Sequence, residues 1–343
     1  MPRFFVWGTV RLPERGQPMT DIATQRETTA RSGWSTALVA AFGGPFGGFL
    51  WIGAGKLAIA SLLLMIAIPV VFAFVGFPVL PGVDLSKLSA IANISGMLLS
   101  VAVVLPFAHR FRPTSWYAHG AVVLLLVLLS VYATAFAIRT FLFQPFSMPA
   151  ASMVPTLELG DYFFVSKAAY GYGRYNVPLG LLPIEGRIFG AAPKRGDVAV
   201  FRTKDSPGVD YVKRVIGLPG DRIQMIDGIL HINGTAVQLE DIGDYSSDEV
   251  GTAKLQRETL PDGTSYSVIS ITDNGLGDNT REFLVPAGEY FMLGDNRDNS
   301  NDSRFHVGMV PYENLVGKAV RLFWNSKGIN YASRQVIGRP SGG

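Results

Sequence analysis

The sequence predicts N-terminal transmembrane helices followed by a mostly antiparallel β domain. Before about residue 140, the chain holds long uncharged runs of about the length that a helix needs to cross the hydrocarbon core of a bilayer. After residue 145, short alternating apolar runs are separated by Gly, Pro, Asn and Asp, a pattern typical of strands and turns. Hydrophobic residues make up 48% of the chain and charged residues 17%, which is apolar for a purely soluble protein.

The membrane region is predicted over residues 32–140. Three long apolar runs in it predict spans, over 57–80, 88–108 and 119–139, and Arg139 closes the last one. An earlier stretch, 33–54, is ambiguous because its "GGPFGG" motif disfavours a continuous helix. A span, a re-entrant hairpin and an interfacial segment all fit it. Residues 1–31 form a polar arm of mixed charge, which is unlike a cleavable signal peptide.

The charge of one loop predicts the orientation. His109, Arg110 and Arg112 lie between the second and third predicted spans with no acidic residue nearby. Positively charged loops stay cytoplasmic, so the last span runs outward. We therefore expect a multi-pass protein of a bacterial inner membrane, with membrane lipid as a partner and residues 141–343 on the periplasmic, extracytoplasmic side. Three spans fit a cytoplasmic arm better than four.

The β domain is predicted from several short motifs. "DVAVFR" at 197–202 and "DYVKRVIG" at 210–217 have the composition of strands bounded by turn residues. "RIQMIDGILHING" at 222–234 places Asp-Gly between alternating apolar residues, which predicts a hairpin, and Asn-Gly follows. The stretch 222–283 is richer in Asp, Ser, Gly and Thr, and we interpret it as an inserted subdomain.

Composition excludes several kinds of chemistry and partner. The absence of cysteine excludes disulfides, thiol catalysis and cysteine-ligated metal. A net charge of +3 is too small to indicate a nucleic-acid partner. The polar residues 295–298 have no His or Cys nearby, so a hydrogen-bonded loop fits them better than a cation site. We therefore predict no cofactor and no metal.

Ser152, in "PAASMVPTLELGD" at 149–161, is a candidate nucleophile that needs a neighbouring base. His306 is the best placed of the four histidines, because the other three border predicted spans or lie in the hairpin. Lys213 is the alternative base, since a buried lysine can lose its charge.

Strand alternation leaves the position of Lys213 open. It puts Lys213 on one face of 210–217 and Arg214 on the other, without showing which of the two cations faces inward. Arginine does not deprotonate in proteins, so only Lys213 can act as a base. The alternative is that Lys213 is a solvent-exposed charge on an edge strand.

Four motifs together resemble those of bacterial type I signal peptidases, which are membrane-bound serine–lysine endopeptidases. They occur in the family's order and are "PAASMVPTLELGD", "KRGDVAVF" at 194–201, "DYVKRVIGLPGD" at 210–221 and "GDNRDNSNDSR" at 294–304. The resemblance implies the signal-peptidase β fold for residues 141–343. It also implies hydrolysis of secreted preproteins after small residues of the Ala-X-Ala type, with the secretion translocase as a further candidate partner.

The resemblance also implies roles for individual residues. Ser152 matches the nucleophile and Lys213 the general base. Ser300 matches the serine that orients the lysine, and Asp302 and Arg304 match a supporting salt bridge. The substrate pocket implied by the motifs consists of Met148, Pro149, Ala150, Met153, Tyr211 and Val212.

Ala150 departs from the family pattern. The family often has a serine at this position, whose hydroxyl assists the oxyanion hole. The N–H of Ser152 is therefore expected to supply more of the oxyanion stabilisation.

Two other functions are alternatives to a signal peptidase. A self-cleaving transcriptional regulator shares serine–lysine chemistry, but the apolar runs argue against it. The remaining alternative is a non-catalytic membrane-anchored β module that binds exported peptides.

Overall fold

The structure is a computed structural model that describes residues 30–75, 85–176, 186–327 and 337. Nearly all of the predicted N-terminal arm and the end of the predicted span 57–80 lie outside the described residues. The chain divides into two compact units. One comprises residues 1–67 and 78–131, and the other comprises residues 68–77 and 132–343.

The described part of the N-terminal region is helical. Its α-helices are α1 (Gly33–Trp51), α2 (Gly55–Val75), α3 (Leu85–Val104) and α4 (Gly120–Phe141). Short 3₁₀ turns, Leu105–Phe107 and Trp116–Ala118, lie between α3 and α4. These helices follow the predicted apolar runs, because apolar residues without charge or turn signals favour continuous helix.

The ambiguous segment 33–54 forms the kinked helix α1. Gly44 has a φ of 66°, and Pro45 follows it, so the helix breaks within the "GGPFGG" motif as its composition predicts. The glycines after the kink allow close packing within the unit. A Cβ on Gly48 would lie 2.9 Å from a methyl of Val104, and one on Gly47 would lie equally close to Val127.

Among the described residues, α4 is long and apolar enough to cross a membrane. It has 22 residues and a mean hydropathy of 2.6, and it matches the predicted span 119–139. The described apolar stretches of α2 and α3 are shorter, Gly55–Ile68 and Ile91–Phe107. A membrane region with several spans therefore stays a prediction.

The second unit contains the strands. In chain order they are β1 (Phe143–Ser147), β2 (Asp161–Ser166), β3 (Val198–Arg202), β4 (Asp210–Gly217), β5 (Arg222–Ile226), β6 (Ile229–Ile232), β7 (Thr235–Ala236), β8 (Gln238–Ser247), β9 (Gly251–Thr259), β10 (Ser265–Ser270), β11 (Phe283–Leu284), β12 (Glu289–Leu293), β13 (Val310–Pro311) and β14 (Leu315–Asn325). They form a seven-stranded sheet of order β1-β2-β14-β3-β4-β12-β13, a three-stranded sheet β10-β9-β8 and a four-stranded sheet β11-β5-β6-β7. The pairings of these described strands are antiparallel, which confirms the predicted β architecture.

The turn signals in the hairpin motif are confirmed. Asp227 and Gly228 join β5 to β6 with φ values of 48° and 77°. Asn233 and Gly234 join β6 to β7 with φ values of 55° and 78°. Consecutive residues with positive φ are what a tight two-residue hairpin turn requires, which is why Asp-Gly and Asn-Gly occur there.

The stretch 222–283 contains β5 to β10 and the first residue of β11. Its three-stranded sheet packs on the segment that carries Ser152. Val154 forms a buried cluster with Ala253 of β9 and Ile269 of β10. The predicted insertion is therefore part of the support for the candidate nucleophile.

Candidate active site

Ser152 and Lys213 are in direct contact. Ser152 lies in the loop between β1 and β2, and Lys213 lies in the middle of β4. The Lys213 Nζ donates a hydrogen bond to the Ser152 Oγ at 2.6 Å. The sequence pattern left Lys213 either buried or on an exposed edge, and the structure buries it with 4% of its surface accessible.

Burial changes the acid–base properties of Lys213. It lowers the pKa of the ammonium group from 10.5 to about 8, because the charged form loses its hydration. The nearby carboxylates of Asp302 and Asp295 oppose this shift only in part. With a pKa of about 8, roughly one amine in ten is neutral at pH 7, compared with fewer than one in a thousand for an ordinary lysine.

Arg214 is completely buried beside Lys213. Its guanidinium binds both oxygens of Asp295, at 2.8 and 2.5 Å, and donates to the Thr156 Oγ at 3.0 Å. It also lies over the ring of Tyr266, 3.9 Å from the centroid. This pairing makes the buried charge tolerable, since an isolated buried cation is costly.

Asp302 and Arg304 form the predicted salt bridge, and both side chains are fully buried. The Arg304 Nη2 and Nε lie 2.9 and 3.0 Å from the two carboxylate oxygens. Asp302 also accepts the Gly294 N–H at 3.0 Å. Arg304 donates to the backbone oxygen of Arg297 at 2.6 Å. The pair thus ties together the polar loop 294–304.

Ser300 lies in the same polar loop, but its side chain does not make the expected contact with Lys213. Its side chain packs against Gly294, close to the backbone oxygen of Ser152. Within the described part of the chain, its hydroxyl is buried and has no hydrogen-bond partner, Lys213 included.

The six expected pocket residues are divided among three environments. Met148, Met153 and Val212 belong to one buried apolar cluster. Pro149 and Ala150 are exposed beside it. Tyr211 belongs to another cluster, where its ring stacks on Phe201 at 5.8 Å. The two methionines are therefore well packed in the core next to Ser152.

His306, the alternative base, is exposed to solvent, and the hydrogen bond that the structure gives to the Ser152 hydroxyl comes from Lys213. Within the described ranges, no group of three or more His, Asp or Glu residues is arranged to hold a metal ion. The polar loop is hydrogen-bonded, as predicted. Asp295 forms an ion pair with Arg214, and Arg297 forms one with Glu258.

Several neighbours of the site have no local sequence signal. Glu258 of β9 is buried, and it receives two hydrogen bonds of 2.7 Å from Arg297 and one from the Tyr266 hydroxyl. Burial acts to raise the pKa of Glu258, but the Arg297 guanidinium outweighs it and holds that pKa below its usual value. Asn296 also contacts the Ser152 segment. Hydrophobic periodicity cannot reveal such contacts, because they join residues far apart in the chain.

A second buried lysine, Lys167, was also not anticipated. Burial lowers its pKa to about 8, and the charges of Arg139 and Arg202 act in the same direction. Its Nζ donates to the backbone oxygen of Asn176 at 2.7 Å. A depressed lysine pKa alone therefore does not mark the active site, and the contact with a serine hydroxyl is what distinguishes Lys213.

Comparisons with known proteins identify relatives of this chain. The family profile "Signal peptidase, peptidase S26" matches residues 121–324. The signal peptidase I of Rickettsia akari is 42% identical over 210 residues, which cover 59% of this chain and 78% of the relative. That of Rickettsia typhi is 41% identical over 206 residues, covering 57% and 78%. A solved signal peptidase I from Enterococcus faecalis is 27% identical to this chain. The match covers 38% of this chain and 98% of the solved chain, with a TM-score of 0.25.

These sequence matches define the class of protein as a serine endopeptidase. More narrowly, the chain belongs to the signal peptidase family, peptidase S26.

Proposed function

We propose that this chain removes N-terminal signal peptides from exported preproteins, with Ser152 as nucleophile and Lys213 as general base. Family membership supports the reaction, since relatives carry the name signal peptidase I. The observation that carries the assignment of residues is the 2.6 Å contact between the buried Lys213 Nζ and the Ser152 Oγ.

The first half of the reaction forms an acyl-enzyme. When Lys213 is neutral, the Ser152 hydroxyl turns to donate its proton to the Nζ while the Oγ attacks the scissile carbonyl carbon. The resulting ammonium group then gives that proton to the leaving amine as the C–N bond breaks. The signal peptide stays attached to Ser152 as an ester, and the mature protein leaves.

In the second half of the reaction, water hydrolyses the acyl-enzyme ester. Neutral Lys213 takes a proton from a water molecule that attacks the ester carbonyl. It returns the proton to the Ser152 Oγ as the ester bond breaks, and the signal peptide is released with a new carboxylate. One titrating amine therefore serves both steps, and its pKa of about 8 suits proton transfer near neutral pH.

Ser300, Asp302 and Arg304 support the dyad in this proposal. The Asp302–Arg304 pair holds the loop that carries Ser300 and Gly294 against the Ser152 segment. We propose that the Ser300 hydroxyl, which is buried without a partner among the described residues, accepts an N–H of the neutral Lys213 amine during the reaction. This would orient the lone pair of the amine.

Substrate specificity follows from the surroundings of Ser152. We propose that Met148, Pro149, Ala150, Met153, Tyr211 and Val212 line the substrate pocket and favour small side chains at the two positions selected in Ala-X-Ala sites. The substrate binds extended, as an added strand, since backbone hydrogen bonds along a strand give affinity without requiring a particular sequence.

The site acts next to a membrane in this proposal. Helix α4 ends at Phe141, and the chain from there to Ser152 reaches no further than about 40 Å even when fully extended. We infer a multi-pass protein of the inner membrane whose catalytic domain faces the periplasm and whose partners include lipid and the secretion translocase. A signal peptide still held in the bilayer is then within reach of the serine.

Cleavage of a preprotein by purified protein in detergent micelles tests the residue assignment. Wild type is compared with Ser152→Ala, Lys213→Met and Lys167→Met, the last of which removes the other buried lysine of depressed pKa. We expect Ser152→Ala and Lys213→Met to lose at least about 10³-fold in kcat. Lys167→Met should cleave at a rate close to that of wild type.

Other outcomes would reject the proposal. Near-normal cleavage by Lys213→Met would exclude the dyad, and His306→Ala would be the next variant to test. If wild type binds preproteins without cleaving them, and Ser152→Ala binds equally well, the chain is a binding module and not a peptidase.

A further inference from the structure

The Ser152 backbone N–H is the expected donor to the oxyanion that forms during cleavage. The residue two positions earlier is Ala150, which has no side-chain donor. In the part of the chain that the structure describes, the Ser152 N–H makes no hydrogen bond with another protein group. The inference below rests on the proposed role of Ser152 as nucleophile. It concerns how the direction of this single N–H is fixed.

We propose that Asn296 is a positioning residue that sets the orientation of the Ala151–Ser152 peptide group and so aims the Ser152 N–H at the oxyanion. The Asn296 Nδ2 donates to the backbone oxygen of Ala151 at 3.1 Å. The Asn296 backbone N–H donates to the backbone oxygen of Ser152 at 3.2 Å. The Ala151 oxygen also accepts the Val154 N–H at 3.2 Å, so Asn296 shares this carbonyl with the local turn and adds the bond that holds the Ser152 carbonyl.

The planarity of the peptide bond turns these contacts into control of the N–H. The Ala151 carbonyl and the Ser152 N–H belong to the same rigid group, and in a trans peptide they point in opposite directions. Fixing the carbonyl therefore fixes the N–H on the other side. A hydrogen bond to the carbonyl also polarises the peptide group, which makes its N–H a better donor.

The hydrogen bonds of the Asn296 amide identify which of its atoms faces Ala151. The Asn296 Oδ1 accepts the Asn299 N–H at 3.2 Å, so the amide nitrogen is the atom that faces the Ala151 carbonyl. A flipped amide would put two acceptors together at one end and two donors at the other. Asn296 itself is completely buried, which protects both bonds from water.

Asn296 is itself held rigidly by the inserted sheet. The Ile269 N–H of β10 donates to the Asp295 oxygen at 2.9 Å, and the Arg297 N–H donates to the Ile269 oxygen at 3.0 Å. Both neighbours are anchored by buried ion pairs, Asp295 to Arg214 and Arg297 to Glu258. The segment that presents Asn296 to Ser152 therefore has little freedom to move.

A matched control exists elsewhere in the same unit. Asn176 is also completely buried, its Oδ1 accepts the Gly173 N–H at 2.9 Å, and its Nδ2 donates to the Val316 oxygen at 2.8 Å. Leucine at either position has the branching of asparagine and removes both side-chain hydrogen bonds, and the extra volume that it adds is the same in the two variants. Asn176→Leu therefore reproduces the loss of buried hydrogen bonds without touching the Ser152 segment.

The experiment measures kcat, KM and the pH profile of preprotein cleavage for wild type, Asn296→Leu, Asn176→Leu and Ser152→Ala, with thermal unfolding of each. We expect Asn296→Leu to lower kcat by about 10- to 100-fold, because losing an oxyanion donor outright costs about 10²–10³-fold and a misdirected donor retains part of its effect. KM should change less than about threefold, since the oxyanion exists only in the transition state. The acidic limb of the pH profile should stay in place, because Lys213 keeps its surroundings.

The outcomes separate this inference from the proposed function. An Asn296→Leu protein that unfolds no more readily than Asn176→Leu and keeps its kcat would overturn the role of Asn296. So would a rise in KM at constant kcat. Cleavage by Ser152→Ala would instead reject the proposed nucleophile. If Asn296→Leu does not fold, Asn296→Asp, which keeps the acceptor for Asn299 but removes the donor to Ala151, is assayed on the pH-independent plateau. An unchanged plateau kcat would then overturn the inference.

Discussion

Lys213 and Arg214, consecutive in β4, hold the loop that carries Ser152 at two points. The Lys213 Nζ donates to the Ser152 Oγ at 2.6 Å, and the Arg214 Nη2 donates to the Thr156 Oγ at 3.0 Å. Both side chains are buried, so neither cation of this strand faces solvent. Arg214 keeps its charge because Asp295 neutralises it, whereas burial pushes Lys213 toward its neutral form. Of these two adjacent residues, Arg214 therefore has a structural role and Lys213 the proposed chemical one.

Activity should rise with pH through the titration of Lys213. The proposed base is active only when neutral, and its pKa is lowered to about 8. We expect log(kcat/KM) for preprotein cleavage to increase with unit slope below about pH 8 and to level off above it. A series of buffers at constant ionic strength from pH 5 to 10 measures this limb.

Lys167→Met is the control for that assignment. Lys167 has the same lowered pKa of about 8 for the same reason, burial, but bonds a backbone carbonyl. If Lys213 is the group that titrates in the pH profile of kcat/KM, the Lys167→Met variant keeps the rise in activity below about pH 8 and the pH at its midpoint. A limb that disappears with Lys167→Met would reassign the titrating group.

The buried lysine should make the folded protein less stable, in a way that depends on pH. Its pKa is about 8 when folded and 10.5 when unfolded, so the unfavourable contribution is fully present below about pH 8, decreases between about pH 8 and 10.5, and is absent above. We expect Lys213→Met to raise the free energy of unfolding at pH 7 by on the order of 1–3 kcal/mol. Urea unfolding at pH 7 and pH 10.5 tests this. A gain that is the same at both values would contradict the titration argument.

The sequence was most informative where local chemistry decides the structure. The bounds of β4 and the Asp227–Gly228 turn follow from alternation and turn chemistry, and both agree with the prediction. The choice of Lys213 over Arg214 as base followed from chemistry, since strand alternation left the burial of both open. The local pattern contained nothing about Glu258, because its contact with Arg297 depends on how the inserted sheet packs.

The ion pair of Glu258 with Arg297 should be important for stability. Both side chains are nearly inaccessible, so Glu258→Gln leaves the charge of Arg297 buried without its counterion. We expect a loss of about 3 kcal/mol in the free energy of unfolding. The matched control is Glu282→Gln, which breaks the exposed pair with Arg222 and should cost less than about 1 kcal/mol. Equal losses in urea unfolding would show that the buried pair has no special role.

Gly294→Ala should reduce activity because the space beside Gly294 is already filled. A Cβ at this position would lie 2.6 Å from the Ser152 backbone oxygen and would also overlap the Ser300 side chain. The Ser152 segment must therefore shift, and a displacement of about 1 Å of a reacting group can lower a rate by about 10²-fold. Gly208→Ala is the control, since a Cβ there has no neighbour within 4 Å. We expect kcat for preprotein cleavage to fall by at least about 10-fold in Gly294→Ala and to stay unchanged in Gly208→Ala. A folded Gly294→Ala protein with wild-type kcat would show that the packing of Ser300 against Gly294 does not position the Ser152 hydroxyl.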